Sequence, residues 1–82
     1  MRSFTGNRAY TITITFGEQS ATCRHWQTSK AASIAASRIE VEAPEDKKRL
    51  KSLVESVRKK VPFATRWRIA DNFGNTAECE VA

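Results

Sequence analysis

Pro44-Glu-Asp-Lys-Lys-Arg-Leu-Lys-Ser-Leu-Val-Glu-Ser-Val-Arg-Lys-Lys-Val-Pro62 is the stretch that decides the fold. Its apolar residues are Leu50, Leu53, Val54, Val57 and Val61. They recur at i, i+3, i+4, i+7 and i+11, the spacing of one face of an α-helix. Pro44 suits the first helical position, and Glu45 and Asp46 complement the positive N-terminal dipole. Arg58, Lys59 and Lys60 complement the other end, and Pro62 disfavours helical geometry in the residue before it. A helix of this kind needs something to pack on, and its flanks supply it.

Downstream, residues 65–70 and 76–81 flank Asp71-Asn72-Phe73-Gly74-Asn75, a five-residue loop with turn chemistry. If Ala70 faces Thr76, then Ile69 faces Ala77, Trp67 faces Cys79 and Thr65 faces Val81 on one side. On the other side Arg68 meets Glu78 and Arg66 meets Glu80. One register satisfies both faces, whereas a one-residue slip would oppose arginine to apolar residues. Upstream, Tyr10, Ile12, Ile14 and Phe16 alternate with Thr11, Thr13 and Thr15, a period-2 strand rich in β-branched residues. Gly17-Glu18-Gln19-Ser20 reads as a turn, and Ala21–Trp26 as the returning strand. Ala21, Cys23 and His25 then share one face, and Thr22, Arg24 and Trp26 the other.

Thr28 or Ser29 offers an N-cap for an alanine-rich helix with a stripe of Ala32, Ala35, Ala36, Ile39 and Ala43. Residues 38–43 also alternate as a short strand would. Helix to about Ile39, then irregular chain to Pro44, is the favoured reading. The expected fold is therefore α+β: a small antiparallel sheet of two hairpins, order ββααββ, with two helices packed on one face. With 82 residues, one domain spanning 1–82 is expected, residues 1–8 forming a flexible arm. Such a domain buries only about 60% of the surface its unfolded chain exposes. Binding at a surface is a safer expectation than catalysis in a deep cleft.

The net charge of +5 is unevenly spread. Residues 45–60 hold seven basic and three acidic groups, a net +4; residues 1–44 carry +2 and residues 61–82 carry −1. The basic bias lives on the central helix. It favours an anionic partner: nucleic acid, an acidic protein surface or anionic lipid. The Leu/Val face of that helix has no aromatic and is better explained by packing on the sheet, so no membrane partner is expected.

Two cysteines do not make the dense framework of a secreted mini-protein. The N-terminus lacks the apolar run of a signal peptide, and no window reaches transmembrane length. A reduced, cytoplasmic protein is expected, with Cys23 and Cys79 as small buried hydrophobes and a disulfide between them left open. Cys23, His25 and Cys79 make only three metal ligands, one short of a structural zinc site. His25 beside Cys23 lacks an oxyanion hole or substrate pocket. No phosphate-binding glycine motif is present. The expectation is a non-enzyme, with no catalytic residues, no metal and no cofactor.

The plan resembles small phage-encoded inhibitor proteins of the anti-CRISPR type. The resemblance rests on layout: the N-terminal strand Tyr10–Phe16, an alanine-rich helix opened by Thr28-Ser29-Lys30-Ala31-Ala32, and a closing hairpin, Thr65–Val81. It implies a stand-alone binder, in the host cytoplasm, that blocks a nucleic-acid-handling protein complex. Many such inhibitors mimic DNA and are acidic; this chain is basic, so an acidic protein patch or nucleic acid itself is the more consistent target. The expected contacts are Lys47, Lys48, Lys51, Arg58, Lys59 and Lys60. Trp26 and Phe73 are the candidate aromatic anchors, since Trp and Arg recur at interface hot spots. Direct DNA or RNA binding by the same surface is the alternative.

Overall fold

The computed structural model describes residues 9–60 and 66–81. They form strand β1 (Tyr10–Phe16), strand β2 (Gln19–His25), helix α1 (Thr28–Ser37), helix α2 (Pro44–Arg58), strand β3 (Arg66–Ala70) and strand β4 (Thr76–Val81). The four strands make one antiparallel sheet in the order β2-β1-β4-β3. The two hairpins thus join through their inner strands. Both helices lie in the connection from one edge strand to the other.

The alternation of β1 becomes alternating burial. Ile12 and Ile14 are fully buried and Phe16 nearly so, while Thr11, Thr13 and Thr15 stay half-exposed. The β1–β2 turn is tighter than the sequence suggests. Phe16 pairs with Gln19, leaving only Gly17 and Glu18 in the loop, so β2 begins at Gln19 and ends at His25. Gly17 has φ of 62°, and a glycine at the first position of a two-residue loop is what the II′ hairpin turn requires. The C-terminal hairpin adopts the expected register from Arg66↔Glu80 to Ala70↔Thr76. The Thr65–Val81 pairing lies outside the described residues.

α2 buries Leu50, Leu53, Val54 and Val57, as its stripe predicts; Val61 lies outside the described residues. The helix stops at Arg58, with Lys59 as its C-cap. α1 differs more from expectation. Its N-cap is Gln27, whose carbonyl accepts the Ala31 N–H at 3.0 Å, so neither Thr28 nor Ser29 caps it. Thr28 instead turns inward, and its buried Oγ1 has no hydrogen-bond partner. The buried stripe is Thr28, Ala31, Ala32 and Ala35, rotated from the expected one. Ala36 is only half-buried, and Ala43 is exposed as the N-cap of α2. The small stripe lets α1 approach closely, and α1 contacts β1, β2 and α2. The apolar strand and helix residues named as buried form a single hydrophobic cluster.

Residues 38–43 are neither helix nor strand. They run beside the β2 edge: Arg38 Nη1 donates to the Thr22 carbonyl, and the Gln19 side chain both donates to the Glu40 carbonyl and accepts from its N–H. The edge backbone is thereby partly satisfied from outside the sheet.

Cys23 and Cys79 are both buried free thiols. Each pairs with Ile12, from opposite sides of β1. Two strand spacings separate them, about 10 Å, beyond the roughly 7 Å Cα limit of a disulfide. The bridge left open by the sequence is closed off by the strand order. Burial, reinforced by the Glu80 charge, pushes the Cys79 thiol pKa up.

Candidate interaction surface

The face of the sheet turned away from the core is a grid set by register. One row reads Arg24, Thr11, Glu80, Arg66; the next Thr22, Thr13, Glu78, Arg68; the third Ser20, Thr15, Thr76, Ala70. Thr13 and Thr22 hydroxyls meet at 3.0 Å. Arg68 lies 3.4 Å from Glu78, and Arg66 4.0 Å from Glu80. The rows contain no aromatic and their cations are largely matched, so this face is neither a stacking platform nor a basic one.

α2 and the two lysines that follow it carry most of the other positive charge among the described residues. A helix turns by about 100° per residue, so its cations fan out over several sides rather than forming one ridge. Lys47, Lys51 and Arg58 border the groove between α2 and α1. Lys59 and Lys60 border a concavity of about 330 Å³ shared with Ser56, Ile69 and Asp71 on the β3 side. Lys48 is exposed. Arg58 is engaged within the fold: Nη1 donates to Glu55 Oε1 at 3.1 Å, and Nη2 to Ser33 Oγ on α1 at 3.0 Å. It clamps the two helices.

A division of labour follows. The ion pairs among the described residues are all made by arginine: Arg49 with Glu45 and Asp46, Arg58 with Glu55, Arg66 with Glu80, and Arg68 with Glu78. None of the five lysines at 47, 48, 51, 59 and 60 pairs with a described carboxylate. They are left to solvent or to a partner.

The two aromatic anchors are exposed, Trp26 by 55% and Phe73 by 59%. The fold does not bring them together. Trp26 follows His25, which pairs with Tyr10 at one end of β1, and the two rings stack with centroids 5.5 Å apart. Phe73 sits in the β3–β4 loop at the other end, where Asn75 Oδ1 accepts the Gly17 N–H at 3.0 Å. The length of β1, about 20 Å at roughly 3.4 Å per residue, lies between those ends. Phe73 is joined to α2 instead: the Arg49 guanidinium lies 3.9 Å from its ring centroid. Arg49 was not among the expected contacts, because the sequence does not show the hairpin tip reaching the first turns of α2.

That tip is tightly held. The Asp71 carboxylate accepts from the backbone of Phe73 at 2.8 Å, and from the backbone and side chain of Asn75 at 2.9 Å each. Burial works against the Asp71 charge. The hydrogen bonds from Asn75 and Phe73, with Arg49 nearby, outweigh it and hold the pKa below the usual aspartate range.

A second concavity, of about 970 Å³, opens between the β1–β2 turn, residues 39–43 and the start of α2. Its rim includes Glu18, Glu40, Glu42 and Asp46. The molecule therefore has an acidic end beside its basic helix, which the overall charge conceals. Among the described residues no group of three or more His, Cys, Asp or Glu is placed to hold a metal ion. No helix among them is long and apolar enough to cross a membrane. Searches of protein-family models, curated proteins and solved structures find no match to this chain.

Proposed function

We propose that this chain is a small non-catalytic binding protein, an inhibitor of the phage-encoded type, that engages a nucleic-acid-handling protein complex in the host cytoplasm through α2. The observation that carries this reading is the pairing pattern: among the described residues arginine makes the ion pairs, and the lysines of α2 and its C-terminal end pair with no carboxylate. Free surface cations favour association with an anionic surface, while cations already paired add little. Phe73, stacked under Arg49, adds an exposed aromatic beside the N-terminal half of α2. Both helices covering one face of the sheet belongs to this reading: they share one core cluster with the inward strand residues, while the outward rows stay polar.

The test is capture from host lysate with identification by mass spectrometry. Enrichment of a nucleic-acid-handling complex, weakened when Lys59 and Lys60 become Glu, is expected; enrichment of no such complex overturns the reading. Direct nucleic-acid binding is the second reading, favoured by the exposure of Lys48, Lys59 and Lys60. It requires a gel shift with no protein partner, and an affinity falling with salt at a log–log slope of about −0.9 per phosphate neutralised. No shift at low salt removes it.

A further inference from the structure

A groove of about 360 Å³ runs between α1 and α2. Its floor is apolar: Leu50 and Val54 are buried, and Ala36 and Val41, packed against the core, are half-exposed and present the apolar surface there. Lys47 and Lys51 stand along the α2 wall. Arg58, reaching from Glu55 across to Ser33, bridges the two walls.

We propose that this groove docks an acidic amphipathic segment of the partner protein. One or two apolar side chains of that segment lie on the floor, and its carboxylates face Lys47 and Lys51. The inference rests on the reading of α2 as the contact surface and narrows the partner's chemistry. Charge complementarity selects the occupant. Lys47 and Lys51 are one helical turn apart, about 5–6 Å between Cβ atoms. That matches carboxylates four apart on a helix, or two apart on a strand at about 6.8 Å. Neither lysine has a described carboxylate of its own, whereas Arg58 is already satisfied at both ends of its guanidinium. A nucleic-acid backbone would use the lysines and leave the apolar floor bare. A helix-in-groove contact uses both, its apolar side chains as anchors.

The test is a fluorescence-anisotropy titration at near-physiological salt with three labelled probes. The first is an acidic amphipathic peptide with leucine at i, i+3, i+4 and i+7 and glutamate on the flanks. The second is the same peptide with each leucine replaced by serine. The third is a duplex oligonucleotide. The first peptide is expected to bind, with amide NMR shifts centred on Ala36, Val41, Leu50 and Val54. The serine peptide is expected to bind at least about tenfold more weakly. Lys47→Glu with Lys51→Glu should weaken the first peptide by about tenfold. Ala36→Gln, at a half-exposed helical site, should obstruct it with the fold intact. Equal binding of the serine peptide, or shifts confined to the Lys59–Lys60 side, overturns the groove and leaves the α2 reading standing. Binding of the oligonucleotide alone overturns the groove and supports direct nucleic-acid recognition. Binding of none of the three overturns the groove; the α2 reading is decided separately, by capture of the partner complex.

Discussion

Asp71 shows how a single side chain sets local architecture. Its carboxylate gathers three hydrogen bonds from Phe73 and Asn75, and Asn75 in turn ties the β3–β4 loop to the β1–β2 turn through Gly17. Because the folded-state pKa is lowered, the charged form is favoured by folding, and that stabilisation is present above the unfolded value of about 3.9. It is lost as pH falls through the folded pKa. Thermal unfolding between pH 7 and pH 3 should therefore show declining stability at the acid end. Asp71→Asn should flatten part of that decline; an unchanged acid limb would show that the loop bonds do not favour the carboxylate. Cys23 and Cys79 supply a second expectation. Buried, and separated by the Ile12 strand, they should stay unbridged under mild oxidation. A mass loss of two hydrogens in the native monomer would contradict the strand order. Thr28 marks what residue-level reading misses: a good N-cap by type, it is displaced when the helix starts from the Gln27 carbonyl.

At the scale of elements, legibility followed constraint. The β3–β4 register was readable because two faces demanded the same alignment, apolar with apolar and arginine with glutamate. The α2 stripe was readable because four branched aliphatic residues cannot all face water. The α1 stripe was less so: in a run of small residues, rotation by one position changes little apolar area, and the helix settled with Ala31 inward and Ala36 half-out. The second strand starts two residues before its sequence suggests, because a glycine with positive φ closes the hairpin in two residues. The cross-strand pairs permit a direct check. Arg68→Glu alone should destabilise by up to about 1 kcal/mol, and Arg68→Glu with Glu78→Arg should recover most of that loss. The measurement is a double-mutant cycle by urea unfolding. Both side chains are more than half exposed, so the coupling should be small and shrink with salt. A coupling of zero at low salt would mean that the pair only decorates the strand.

At the scale of the molecule, the juxtapositions that matter are long-range and leave no local trace. Nothing near Trp26 or Phe73 in sequence reveals that they lie at opposite ends of the sheet. Nor does composition reveal that Glu18, Glu40, Glu42 and Asp46 gather on one concavity while the lysines fan around α2. The surface around α2 is uneven: among the described residues arginines make the ion pairs, lysines make none, and an apolar groove runs along one flank. Whether these lysines form the contact surface can be tested without disturbing the core. Replacing Lys47, Lys48, Lys51, Lys59 and Lys60 with Gln removes no ion pair to a described residue and should leave the unfolding midpoint near that of the parent. The measurement is quantitative capture of the partner complex from host lysate at physiological salt by the parent and by this folded variant. Loss of capture by at least about tenfold is the predicted result; equal capture by the two would contradict the assignment of α2 as the binding surface.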